Sequence, residues 1–134
     1  MLRLWKIVLV SCLAQRHGEA TQELGAFDMM DHNFYDADPW QTTWASTFAA
    51  FFTGQGASYI DAYTPAGMPE QGSHSPHIVA CNATLGFGVP ASVGAPFVQE
   101  LWNLPIPTGT YRYYDGMLYV LALLHVSGTF HIWY

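Results

Sequence analysis

The residues best equipped for chemistry stand together at Tyr111, Arg112, Tyr113, Tyr114 and Asp115. Phenol hydroxyls, a guanidinium and a carboxylate set between aromatic faces suit a polar, ring-shaped ligand such as a sugar, whose apolar face stacks while its hydroxyls are bonded. The plain structural alternative is a Tyr, Asp and Arg rim satisfied by its own neighbours at a helix entrance. Upstream, the loop Gln55–Ser73 offers Tyr59, Asp61 and Tyr63 as ligand-facing groups.

Other clusters carry less. Asp28, Asp31, Asp36 and Asp38 surround His32, but a calcium loop places its oxygens at fixed alternating positions with a turn glycine, and none lies within the run. They read as helix ends and caps. His74 and His77 straddle a helix start and lack a third ligand, so they read as structural histidines rather than zinc ligands. There is no phosphate loop, no Gly-x-Ser-x-Gly elbow and no paired-cysteine motif. Cys12 and Cys81 define no framework and are expected as free thiols, and Asn82-Ala83-Thr84 reads as a chance sequon on a buried helix. No cofactor and no metal are implied.

These groups need helices to hold them. Asp38-Pro39-Trp40 is a capping carboxylate followed by proline at the first helical position, and Trp40, Trp44, Phe48, Phe51 and Phe52 then share a face up to Gly54. That face is expected in the core. Ser75-Pro76 repeats the start and opens a helix from His77 to Leu85. Pro90 to Gly94 turns the chain, and Ala95 to Asn103 is helical with Phe97, Leu101 and Trp102 inward. Leu104-Pro105-Ile106-Pro107 is a rigid connector, because its prolines forbid helix. Met117 to Val126 is apolar nearly all round, which predicts a central buried helix, ended by Gly128 in a left-handed cap. Thr129 to Tyr134 alternates loosely as an extended tail. No strand alternation of useful length appears, so the fold class is all-α.

The chain is 51% hydrophobic and 10% charged over 134 residues, against about 25% charged in an average domain. Such a shortage of solvated surface implies an oligomer or part of a larger fold. A net charge of −6 with four basic residues disfavours nucleic acid. Arg3 and Lys6 followed by Ile7 to Ala14 have the order of parts of a secretory signal, with a short apolar core, while the apolar run Met117 to Val126, at about ten residues, is too short to span a membrane. The organisation expected is therefore a diverged, signal-like N-terminus over 1–25 and one domain over 26–134. A cytoplasmic location is slightly preferred, with export or a lipoprotein as the alternatives, since Leu9-Val10-Ser11-Cys12 resembles a bacterial lipoprotein cleavage box.

Taken together, Asp38-Pro39-Trp40-Gln41, Tyr63-Thr64-Pro65-Ala66-Gly67, His74-Ser75-Pro76 leading to Asn82-Ala83, and Leu101-Trp102-Asn103 through Gly109-Thr110-Tyr111-Arg112-Tyr113-Tyr114-Asp115-Gly116 to His125-Val126-Ser127-Gly128 resemble the C-terminal part of glycoside hydrolase family 8. Its xylanase and exo-oligoxylanase members are the most similar. The resemblance runs from about Asp28 to Trp133 in unbroken order; each motif is weak alone, and the spaced series is specific. It implies an (α/α)6 barrel, six helical hairpins in two concentric rings, here only partial. It also implies hydrolysis of β-1,4 glycans, xylan or xylo-oligosaccharides first, with inversion.

Inversion needs a carboxylic acid at the leaving oxygen and a carboxylate base holding water on the opposite face of the sugar. The resemblance implies an acid from the first third of the family's domain. Twelve helices of roughly 12 residues plus loops exceed this chain, which holds at most half a barrel. Many members carry the base in an Asp-Ala-x-Arg stretch; here Glu19-Ala20-Thr21-Gln22 stands in about that place, one position out of register and without the aspartate or arginine. Glu19 is the candidate base on that ground. Asp31 matches a family aspartate with a structural or substrate-holding role, and His74 matches a histidine of a loop that limits substrate extension in exo-acting members. Tyr111, Arg112, Tyr114 and Asp115 match the terminal signature and, with Asp31, Tyr63 and His74, make up the substrate-binding candidates. The expected function is an O-glycosyl hydrolase on an oligosaccharide or polysaccharide, with little or no turnover by this chain alone. The alternatives are a non-catalytic carbohydrate-binding remnant or a fragment that does not fold stably by itself.

Overall fold

The computed structural model describes residues 18–34, 38–64 and 66–131, with side chains from Gly25 onward. The signal-like segment, Cys12, Asp36 and the last residues of the tail lie outside them. The described residues form five α-helices: α1 Gly18–Phe34, α2 Pro39–Gln55, α3 Pro76–Thr84, α4 Ala91–Asn103 and α5 Arg112–Val126. Short 3-10 turns follow α2 at Gly56–Ser58 and α3 at Leu85–Phe87. The one β feature among them is an isolated bridge between Tyr63 and Pro69, so the chain is all-α as expected.

Both proline starts hold: α2 begins at Pro39 after Asp38, and α3 at Pro76 after Ser75. Helix α4 begins before Ala95, because the N–H groups of Val93 and Gly94 already bond Pro90 O, so the expected turn is the helix's first turn. Gly128 takes a φ of 70°, the left-handed cap. Helix α1 has little apolar periodicity and is held by tertiary contacts instead. Gln41, fully buried, accepts from Asp38 N–H and His32 Nδ1–H, both at 3.0 Å, and donates to Asp28 O at 3.1 Å. Gly25 lies directly under the indole of Trp44.

Pairs at the helix ends fix the directions. The start of α2 meets the later part of α1 at Gln41, and Trp44 further along meets Gly25 further back, so the two are antiparallel. Gly94 near the start of α4 lies on Gly86 after α3, whereas Glu100 near its end reaches His74 just before α3. These are two antiparallel hairpins. Across the layers, His77 at the start of α3 meets Tyr114 and Asp115 at the start of α5. His125 at the end of α5 meets Phe34 at the end of α1 and Phe87 after α3. Helices α1, α3 and α5 therefore run parallel as an inner layer, with α2 and α4 antiparallel outside it.

The expectation that Met117–Val126 is the central buried helix is corrected. That place belongs to α3, whose residues Ile78 to Thr84 are all buried, because α1, α4 and α5 enclose it. In α5 only Asp115, Leu118, Ala122 and His125 are buried. Met117 and Val120 are 53% and 51% exposed, and Leu124 is exposed as well. Apolar residues all round mark a helix with two apolar neighbours, and α5 stands at the edge of the half-ring with one of its faces covered. Trp102, expected inward, is exposed, while Phe97 and Leu101 are buried.

At the closing end of the inner layer His125 stacks on Phe130, with centroids 4.2 Å apart and planes at 19°. Its Nδ1 is buried without a partner, and burial holds the imidazole below its ordinary pKa. The unfolded chain therefore takes the proton first. His125 contributes stability that is whole above about pH 6.5 and is lost as pH falls toward the folded value. The unfolding temperature should fall between pH 7.5 and 5.5, and by a smaller amount in His125→Phe; equal pH slopes in the two proteins would refute this.

Candidate functional site

The parallel inner layer gathers the polar groups at its opening end. Asp115, in the first turn of α5, is 7% exposed, and its Oδ1 accepts from His77 Nδ1–H at 3.1 Å. Nε2 of the same imidazole faces Ser75 Oγ at 3.2 Å and Asp61 Oδ2 at 3.6 Å. Two buried carboxylates thus flank one histidine, beside the N-termini of α3 and α5, where the helix dipoles favour negative charge.

Asp61 is built in from the loop side. Its Oδ1 accepts from Ser73 N–H at 2.8 Å and its Oδ2 from the Ser73 hydroxyl at 3.3 Å. Burial opposes its charge, but the Ser73 N–H, the Ser75 hydroxyl and the His77 ring outweigh burial and hold the carboxyl below its ordinary range. Gly72 allows the close approach: a Cβ there would lie 2.4 Å from Asp61 Oδ1.

A second carboxylate and imidazole pin the same loop to α4. His74 Nδ1–H donates to Tyr59 O at 2.7 Å, and its Nε2 faces Glu100 Oε1 at 3.0 Å. Tyr59 donates its hydroxyl to Glu100 Oε2 at 2.5 Å. Burial, aided by the Glu100 carboxylate, pushes the Tyr59 phenol far above its ordinary pKa. Tyr59 and Asp61, read as ligand-facing from the sequence, are both buried and serve the loop's own structure. The loop between Tyr59 and Ser75 is thus a wall braced at two points.

The aromatic cluster at the start of α5 faces out. Tyr111 and Tyr113 are 74% and 81% exposed, and Tyr114 is 40% exposed with its ring edge-on to His77 at 5.3 Å. Arg112 is exposed and donates from Nη1 to Gly109 O at 3.0 Å. Tyr111, Arg112, Tyr114 and Asp115 are therefore brought together, with His74 in the adjoining loop. Tyr63 is half-buried; its hydroxyl accepts from Ile60 N–H at 3.0 Å and its ring packs edge-on against Phe51 and Phe52. Asp31 sits in the last turn of α1, toward the opposite end of the layer. Glu19 falls in the first turn of α1, which the parallel order puts at the opening end, and its side chain lies outside the described ones.

The residues that sequence reasoning undervalued are His77 and Glu100. A histidine just inside a Ser-Pro helix start was the available signal, because a side chain there projects from the helix N-terminus. Its two carboxylate partners, 16 and 38 residues away by the numbering of Asp61 and Asp115, become visible only once the loop folds back. Among the described residues no group of three or more His, Cys, Asp or Glu could hold a metal ion, and no helix is long and apolar enough to cross a membrane.

No family model matches the chain. Curated relatives do. The chain is 31% identical over 106 residues to the reducing-end xylose-releasing exo-oligoxylanase Rex8A of Paenibacillus barcinonensis, covering 78% of this chain and 28% of that protein. It is 34% identical over 109 residues to the reducing end xylose-releasing exo-oligoxylanase of Halalkalibacterium halodurans, with the same coverages. Among solved structures, a GH8 xylobiose complex from Teredinibacter turnerae superposes with a TM-score of 0.77 at 31% identity, over 83% of this chain and 28% of that one. Rex8A complexed with xylose superposes at 0.78 and 29% identity, over 89% and 32%. The chain spans less than a third of the length of the relatives it matches.

Proposed function

Because the chain belongs to glycoside hydrolase family 8, as a C-terminal portion of its (α/α)6 barrel, we propose that it carries sugar-holding groups of an inverting β-1,4-glycosidase site for xylan or xylo-oligosaccharides. The observation that supports this best is the gathering of Tyr111, Arg112, Tyr114 and Asp115 at the opening end of a parallel inner layer. Exposed phenol rings supply stacking faces, Arg112 supplies donors, and Asp115 supplies an acceptor for a sugar hydroxyl. His74 acts through the wall it braces, since both of its nitrogens are already engaged.

Turnover needs a protonated acid and a base on opposite faces of the sugar, about 6.5–9.5 Å apart. Asp61 is held ionised and occupied by the loop, so it does not serve as the acid. Asp115 is tied to His77. The reading is therefore of binding without hydrolysis by these residues alone, with Glu19 as the candidate base and the acid supplied from elsewhere in a complete barrel.

Titration with xylohexaose, followed by tryptophan fluorescence, tests the reading, with reducing-sugar release assayed in parallel. Saturable binding with no release is expected. Tyr114→Ala should weaken it about tenfold, the worth of one stacked ring in a wet site. Absence of binding in a cooperatively folded chain would sink the proposal, and release of xylose would refute the missing acid.

A further inference from the structure

We propose that His77 is a positioning residue that sets the Asp115 carboxylate for sugar binding, committing one oxygen to the protein and leaving the other for a substrate hydroxyl. The inference rests on the function proposed above and adds to it a residue outside the exposed cluster. A carboxylate only accepts, so the 3.1 Å contact requires hydrogen on Nδ1 of His77. That fixes the ring's orientation and the place of that proton from one side. On the other side Nε2 meets the Ser75 hydroxyl and, further off, Asp61, which Ser73 holds in turn.

The order of support runs from the braced loop through Asp61 and Ser75 to His77, and from His77 to the first turn of α5. Asp115 is enclosed, and Tyr114 lies against the imidazole edge-on. With Oδ1 taken by Nδ1–H, the carboxylate cannot swing to present both oxygens, and on this proposal Oδ2 is the oxygen that accepts from the sugar hydroxyl. A carboxylate free to rotate would have to be ordered on binding, and one ordered in advance spares that entropy.

Two side chains separate this role from mere filling of space. Asparagine carries its amide nitrogen where imidazole has Nδ1, and glutamine where it has Nε2. Xylohexaose affinity should fall about tenfold in His77→Ala, recover largely in His77→Asn and recover little in His77→Gln, all three compared as cooperatively folded proteins by circular dichroism. Equal affinities in the three variants, or an unchanged affinity in His77→Ala, would overturn the proposal.

A second measurement needs no sugar. Nitrogen-15 spectra of the full chain should show a slowly exchanging Nδ1–H on His77 that exchanges fast in Asp115→Ala. An unprotonated Nδ1 in the native chain overturns the inference whatever the titration shows. If the Nδ1–H is present and xylohexaose does not bind, the proposed function fails and the positioning of Asp115 loses its ligand.

Discussion

Alanine at position 94 should lower the stability of the chain by about 3 kcal/mol, while alanine at position 116 should raise it by about 0.5–1 kcal/mol. Both are helical glycines, so propensity favours alanine at each. The surroundings decide the sign. A Cβ on Gly94 would lie 2.7 Å from the Cα of Gly86 and 3.3 Å from Cγ2 of Val89. The nearer atom is backbone, which no rotamer change can clear, so α4 must lift from the turn that ends α3. That lift opens the packing of Phe97 and Leu101, both buried in the core. At Gly116 no atom lies within 4 Å of the added methyl, and the gain comes from the less flexible unfolded chain. Gly86→Ala tests the asymmetry, since its Cβ would meet Val98 at 3.4 Å and Gly94 at 3.9 Å, ordinary contacts. Urea unfolding with unchanged m-values should rank the proteins Gly116→Ala, wild type, Gly86→Ala, Gly94→Ala. A Gly94→Ala protein as stable as the wild type would refute so close an approach of Gly94 to Gly86.

Local signals and tertiary ones were legible to different degrees. Asp38-Pro39 and Ser75-Pro76 announced two helix starts because a cap followed by proline acts within a single turn. Gly128 announced a helix end for the same reason. Helix α1 had no such announcement: it is held by Gln41 and by Trp44 over Gly25, both on another helix. Apolar content points to α5 as the central helix, yet α3 holds that place. Apolar content counts the faces that want cover; it does not say which of them these residues cover. The exposed half of the site, Tyr111 to Asp115, is contiguous and could be read directly. The buried half could not, because Asp61 and Asp115 reach His77 from a loop and from a different helix. Tyr59 looked ligand-facing by type and proved to be a brace, since its hydroxyl partner Glu100 sits on α4.

The other large effect belongs to Asp61. Asp61→Ala should destabilise the chain by about 3 kcal/mol, because it removes the charged acceptor of a buried network and strands its donors. Ser73 N–H and the Ser73 hydroxyl lose their partner, the Ser75 hydroxyl keeps only His77, and the cleared space beside Gly72 leaves the loop unpinned at one of its two braces. Asp61→Asn keeps one acceptor oxygen in place and should cost about 1 kcal/mol. The pH dependence separates charge from shape. The folded carboxyl sits below 3.8 and the unfolded one near its ordinary value, so the unfolded chain binds the proton first as the solution is acidified. The contribution of Asp61 is thus whole above about pH 5 and is lost as pH falls through the folded value. Wild type should lead Asp61→Asn at pH 6 and converge on it toward pH 3, with His77→Asn showing whether the imidazole is needed for the lead. A constant difference across that window would mean that the loop is held by the shape of the side chain and not by its charge.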